Sequence, residues 1–232
     1  MMVLYHCMSA RSFRPLWMLE ELGLDYDLQM LPFPPRQSAK AYLEINPLGT
    51  VPAFINDGAL MTESAAICQY LAARHPAAGM NVAVEEPDYA RYLNYLHFGE
   101  ATLTFPQTLV LRYGRFETPE RMQPQVAEDY AKWFLSRLRS LEPVLAQQQF
   151  LCADRFTAAD VSVGYALFLA QFIDLAERFT PAVKAYHERL QARPGFARAI
   201  EAQRQAAITQ GVSLAAAADA PLAPQASVKP HS

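Results

Sequence analysis

The chain has 232 residues, more than the roughly 100–150 of a usual single domain, so two domains are expected. At 52% hydrophobic and 19% charged it can bury a core, it has no apolar run of about 18 residues to span a bilayer, and its net charge of −3 argues against broad electrostatic binding of nucleic acid. Three scattered cysteines without a CxxC and five histidines without ligand spacing indicate neither a disulfide framework nor a metal site, and the first residues lack a signal-peptide pattern, so a cytoplasmic protein with a small-molecule partner is expected.

Residues 2–7 read as a strand, and Leu16, Leu19 and Leu22 mark a helix over 13–22 that Gly23 ends. A strand near 25–31, a weak helix near 38–44 and strands at 51–55 and 59–61 follow, the last two joined by Asp57-Gly58 as a hairpin turn. A helix over 63–74 completes a β-α-β-α-β-β-α order, which is that of a small mixed sheet covered by helices. After the break at 75–79 no strand is expected. Tyr89, Leu93, Leu96 and Leu103 mark one helix, and Val126, Tyr130, Trp133, Leu141 and Val144 or Leu145 another, with Thr118-Pro119 as its cap and first turn. Thr157 and Asp160 form a capping-box variant ahead of a stretch from Val161 to Ile173 that is apolar on all sides, the mark of a buried central helix. Thr180-Pro181 opens a further helix, Phe196 and Ile200 mark the last, and from Ser213 onward small residues without periodicity predict a disordered tail.

Two places in this order could carry chemistry. A helix that begins at Glu63-Ser64 turns free amides and its positive end outward, where a carboxylate would sit well; an acidic first turn with Thr62 as cap would stabilise that helix without any ligand. The loop after the first strand offers a thiol, two hydroxyls and a cation in Cys7, Ser9, Arg11 and Ser12. Ser12 is also a good N-cap for the helix that follows, and Cys7 reads as a buried, inert thiol. Tyr5 and His6 fall in the strand and read as packing residues.

Four segments together resemble the glutathione transferase superfamily: ArgProLeuTrpMetLeuGluGluLeuGly at 14–23, AsnProLeuGlyThrValProAla at 46–53, MetThrGluSerAlaAlaIleCysGlnTyrLeu at 61–71 and PheThrAlaAlaAspVal at 156–161. The resemblance covers residues 1 to about 205. It implies an α/β domain of thioredoxin-like fold followed by an all-α helical bundle, divided here as 1–78, a linker at 79–86, and 87–212, with the tail at 213–232. It also implies glutathione as co-substrate and, as activity, its conjugation to a small apolar electrophile. Glutathione-dependent dehalogenation, ether cleavage, isomerisation or peroxide reduction are alternatives within the fold, as is a binding protein without turnover.

The resemblance assigns roles residue by residue. Val51-Pro52 matches a cis peptide whose preceding backbone pairs with the cysteinyl part of glutathione, as an added strand would. Ser64 and its amide match the holder of the γ-glutamyl carboxylate, Glu63 the acceptor of its ammonium, and Gln37 or Arg36 the neighbours of the glycyl end. Thr157 and Asp160 match a folding motif. Thiol activation falls to the loop: Ser9 is the first choice, Ser12 its rival, with Ala10 or Arg11 in register if the alignment slips. Lowering a thiol pKa of about 8.5 by two requires roughly 2.7 kcal/mol, within reach of one hydroxyl at ~1.5–3 kcal/mol aided by a helix N-terminus. Tyr95, Phe98, Thr102, Phe105 and Tyr113 are the candidates for the electrophile's wall, and Glu100 could reach a partner subunit's glutathione in the homodimer usual for the family.

Overall fold

The computed structural model describes residues 1–220. Its first part is a four-stranded sheet in the order β2-β1-β3-β4. β1 (Met2–His6) runs parallel to β2 (Tyr26–Met30) and antiparallel to β3 (Ala53–Asn56), which turns back into β4 (Ala59–Met61). Leu4 lies opposite both Leu28 and Phe54. This register gathers their side chains into one core with Leu16 and Leu19 of α1 (Phe13–Leu22) and Ile67 and Leu71 of α3 (Ser64–Arg74). Gly23 ends α1 in the left-handed conformation, φ 62°, its amide donating back to Glu20.

Two elements of this domain differ from the expected ones. The weak helix is a single turn, α2 (Pro35–Ser38), followed by a 3₁₀ turn over Lys40–Glu44. The third strand begins at Ala53, because Pro52 has no N–H to give a ladder; the Val51–Pro52 peptide is cis and stands clear of the sheet.

The remainder is helical. α4 (Tyr89–His97), a π-helical stretch over Phe98–Thr104, α5 (Phe105–Leu111) and a second π-helical stretch over Arg112–Phe116 follow one another without a break. The expected helix ended near Leu103. Pro106 does not stop the rod because it falls in the first turn of α5. Thr118-Pro119 does not open the next helix either: α6 (Pro124–Leu138) starts later, with Pro124 in its first turn. A 3₁₀ turn over Arg139–Leu141, α7 (Glu142–Leu145), α8 (Ala158–Phe172), α9 (Pro181–Gln191) and α10 (Pro194–Gln210) complete the bundle. Both halves of the Thr157/Asp160 capping box are present, and every residue of α8 from Ala158 to Ala170 is buried. Among the described residues no helix is long and apolar enough to cross a membrane, and no cluster of three metal-ligating side chains occurs.

The two parts are locked around α1. Trp17 meets Phe196 edge-on at 5.0 Å, Phe13 lies 4.8 Å from Phe168, and Arg193 forks onto Glu21 at 2.8 Å while covering the ring of Phe156. The 79–86 segment is tied down: Arg155 donates to the carbonyls of Gly79 and Asn81 at 2.8 Å each and pairs with Glu86 at 2.7 Å. Where the rod crosses α8, a side chain at Gly99 would collide with Ser162, so only glycine allows that approach.

The start of the expected tail also packs. Ala216, Ala217 and Ala218 are buried, the Ala217 amide donates to the Met8 carbonyl at 2.8 Å, and Asp219 pairs with Arg115 at 2.8 Å. Alanines carry no periodic signal, yet Ala217 packs against Cys7 and Ala10, and Ala218 joins the main core. The rest of that tail, 221–232, lies outside the described residues.

Candidate functional site

A cleft of about 820 Å³ opens between the two parts. Its floor comes from the β1–α1 loop (Ser9, Ala10, Arg11), the segment at Val51-Pro52 and the start of α3 (Thr62, Glu63, Ser64). The rod contributes Glu100, Thr108, Leu111, Arg112 and Phe116, and α8 contributes Tyr165 and Leu169. Phe33 and Phe116, ring centroids 5.8 Å apart, close one end, with Ala217 and Ala218 beside them.

No side chain caps α3: Glu63 stands at the N-cap and Thr62, the expected cap, makes no such bond. The first-turn amides of α3 therefore face the cleft without a side-chain acceptor, an arrangement suited to an anion. Ser64 sits there, buried, its Oγ accepting from Arg14 Nη1 at 3.2 Å, which leaves its own proton to donate.

Arg14 is the organising residue of the site and sequence reasoning gave it no role. Its side chain is fully buried, and it has an acceptor for each of five N–H groups: the carbonyls of Ser162 and Gly99 at 3.1 Å, Thr104 Oγ1 at 2.7 Å, Ser64 Oγ, and a carboxylate oxygen of Glu100. Its guanidinium also stacks 4.3 Å from the Tyr165 ring centroid. The available signal was an arginine between Phe13 and Leu16 on a helix that is otherwise apolar on that face. Glu100 is fully engaged within its own chain, since its second oxygen pairs with Arg11 at 2.8 Å. Arg11 spans the cleft from loop to rod and donates also to Thr108 Oγ1 at 2.7 Å.

Of the loop residues, Ser9, Ala10 and Arg11 border the cleft and Ser12 does not. Ser12 is fully buried and its hydroxyl bonds His6 Nδ1 at 2.7 Å, so it neither reaches the cleft nor caps α1. Ser9 adopts a left-handed conformation, φ 53°, which turns its hydroxyl toward Gln203 and the cleft. The amides of Ala10, Phe13 and Arg14 are taken by carbonyls of the same loop, whereas that of Arg11 has no acceptor among the described residues. Cys7 is buried against the Pro32 carbonyl, and burial pushes its thiol up to about 12, as it does for Cys68, which removes any ready thiolate from the chain's own cysteines. Tyr5 packs on Tyr42 at 5.4 Å, away from the cleft.

Arg36, and not Gln37, borders the cleft at its other end; Gln37 is half-buried one position further along α2. The five residues expected to form the electrophile's wall do not line the cleft. Phe98 and Thr102 line a shallow groove on the opposite side of the rod together with Leu93, and Tyr95 packs edge-on to Phe98. Phe105 is exposed, and Tyr113 lies half-buried under Arg112. The cause is helical phase. Positions 98, 102 and 105 form one stripe, and the cleft receives another, on which Glu100, Thr108, Leu111 and Phe116 reach the cleft while Thr104 is buried against Arg14. That stripe begins with polar residues, so an aromatic search passes over it.

The chain matches the family model for the glutathione S-transferase N-terminal domain over residues 8–74 and that for the C-terminal domain over 123–189. It is 27% identical over 210 residues to glutathione S-transferase 3 of Schizosaccharomyces pombe, covering 84% of each chain. A glutathione transferase from Methylococcus capsulatus superposes with a TM-score of 0.77 at 28% identity, over 88% of this chain and 100% of that one. Ure2p5 from Phanerochaete chrysosporium, cocrystallised with 1-(S-glutathionyl)-2,4-dinitrobenzene, does so at 0.76 and 25%, over 90% and 96%.

Proposed function

This chain belongs to the glutathione transferase superfamily, and from that premise we propose that it joins the thiolate of glutathione to a small apolar electrophile held in the interdomain cleft. The observation that carries the reading is that Ser9, Arg11, the cis Val51–Pro52 segment and the uncapped start of α3 all border one cleft, which Phe33, Leu111, Phe116 and Leu169 line with an apolar patch.

In this reading Ser64 and the α3 amides hold the γ-glutamyl carboxylate, Glu63 accepts from the neighbouring ammonium, and the Val51 backbone pairs with the cysteinyl amide. Arg36 is placed to meet the glycyl carboxylate. The thiol then lies at the loop, where Ser9 Oγ donates to the sulfur and the Arg11 amide and guanidinium add positive potential. Leu111, Phe116, Phe33 and Leu169 position the electrophile, and proximity in a dry wall supplies the rest of the rate. Conjugation of an aromatic halide is the reaction to assay, following the aromatic conjugate held by Ure2p5.

Ser9→Ala is expected to raise the pKa of bound glutathione by one to two, about 1.4–2.7 kcal/mol, with affinity at low pH nearly unchanged and the rate recovering at alkaline pH. Thiolate absorbance followed against pH measures this directly. An unaltered profile in a folded Ser9→Ala protein would remove the hydroxyl from the mechanism.

We also propose a cytoplasmic homodimer. The stripe with Leu93, Phe98 and Phe105 leaves an apolar face on the rod that nothing among the described residues covers, as expected of a two-fold contact. Sedimentation should return twice the chain mass, and Phe105→Glu should shift it toward the monomer; a monomeric wild type defeats the assembly.

A further inference from the structure

Behind the cleft a buried run of polar side chains joins β1, the β1–α1 loop and α10. His6 and Ser12 are fully buried, and Gln203 and Ser9 nearly so. Ser9 N–H donates to Gln203 Oε1 at 2.9 Å, and Gln203 Nε2 donates to Ser9 Oγ at 3.3 Å. A backbone N–H can only donate, so the first bond fixes which way round the amide lies and the second follows from it. The same Oε1 meets His6 Nε2 at 2.9 Å, which requires the imidazole proton on Nε2 and leaves Nδ1 to accept from the Ser12 hydroxyl at 2.7 Å. Burial drives His6 down to about 4, so the ring stays neutral and this tautomer persists near neutral pH. Ser12 Oγ accepts in turn from the Cys7 amide at 3.4 Å. The directions of these bonds are set, and the Ser9 hydroxyl proton, at the cleft, has no acceptor among the described residues.

We propose that Gln203 is a positioning residue for thiol activation: by filling one of the two lone pairs of Ser9 Oγ it biases that hydroxyl to donate its proton toward the cleft. The polarity matters because an unconstrained serine can also accept from S–H, which favours the neutral thiol, whereas a hydroxyl held as donor favours the thiolate. The Ser9 amide sets Gln203 in this orientation, and His6 Nε2–H adds a second donor to the same oxygen. The inference rests on the reading of Ser9 as the thiolate's donor.

Gln203→Glu tests it, since the variant keeps an acceptor for Ser9 N–H and His6 Nε2–H but replaces the Nε2 donor with an oxygen that draws the Ser9 proton away from the cleft. The expected result, from the pH dependence of kcat/KM for conjugation of an aromatic halide, is a roughly tenfold loss at neutral pH that recovers at alkaline pH. The KM for glutathione should stay within about twofold. Gln203→Met, which removes the donor without adding charge, should move the profile the same way and keeps the test open if the carboxylate prevents folding. Neither change should add to Ser9→Ala. A profile shifted by Ser9→Ala but by neither Gln203 variant overturns the inference and leaves the functional reading intact. Equal shifts with and without Ser9 overturn it too, since Gln203 would then act by charge or packing. No shift from Ser9→Ala defeats the functional reading of the hydroxyl, and this inference with it.

Discussion

Arg14→Met should lower the melting temperature by roughly 10 °C and abolish retention on immobilised glutathione. The guanidinium is buried with all five donors engaged, and it joins α1 to the start of α3, the rod and α8. Removing one partner of a buried ion pair typically costs 3–5 kcal/mol, because the groups left behind stay buried without partners. At about 2–4 °C per kcal/mol for a chain of this size, that gives the shift expected. Loss of binding follows from geometry: Ser64 loses the donor that fixes its hydroxyl, and Glu100 is left to Arg11 alone. Arg14→Lys separates charge from shape. An ammonium has three donors and no planar fork, so it cannot serve five acceptors on three elements, and the variant should fall well short of the wild type. Full stability and binding in Arg14→Lys would mean that charge alone suffices and that the five-bond arrangement is incidental.

The pattern of legibility follows from what a linear pattern encodes. Periodicity and turn residues place β1, α1, the β3–β4 hairpin and α8, and the motif around Val51-Pro52 and Glu63-Ser64 brings the floor of the cleft within reach before any coordinates. What escapes is set by contacts between distant segments. Gln203 lies on the buried stripe of α10 with Phe196, Ala199 and Ala207, where an amide is anomalous, but its partners are nearly 200 positions away and nothing local names them. Ser12 has the residue type and position of an N-cap, and only the approach of His6 diverts its hydroxyl. Tyr95, Phe98, Thr102, Phe105 and Tyr113 stand away from the cleft because the rod turns another face to it, and on that face Glu100 borders the cleft while the buried Thr104, like Glu100, accepts from Arg14. Ala216 to Ala218 have a composition that reads as disorder, and the packing of Ala217 becomes visible only with the loop it covers.

Asp160→Ala should destabilise the protein by about 3–5 kcal/mol, well beyond the ~1 kcal/mol expected of Thr157→Ala, which removes a helix cap. The carboxylate accepts from the Thr157 amide at 2.9 Å, the Leu151 amide at 3.0 Å and the Tyr186 hydroxyl at 2.7 Å, and it is fully buried. Two of those donors are backbone groups that cannot turn to another partner, so alanine leaves them buried and unpaired. The pH dependence gives a second, independent check. Burial raises the Asp160 pKa to about 6, against the hydrogen bonds from Tyr186, Leu151 and Thr157, which lower it. A folded pKa above the ordinary 3.8 means that the folded state holds the proton more tightly. The part of its contribution that comes from holding the proton is therefore fully present below about 3.8 and is lost as pH rises through about 6. In urea denaturation the stability gap between wild type and Asp160→Ala should accordingly be larger at pH 5 than at pH 7. A gap that widens toward pH 7 would show that the carboxylate is stabilised in its charged form, and that its bonds to α8, α9 and the Leu151 loop outweigh the burial of its charge.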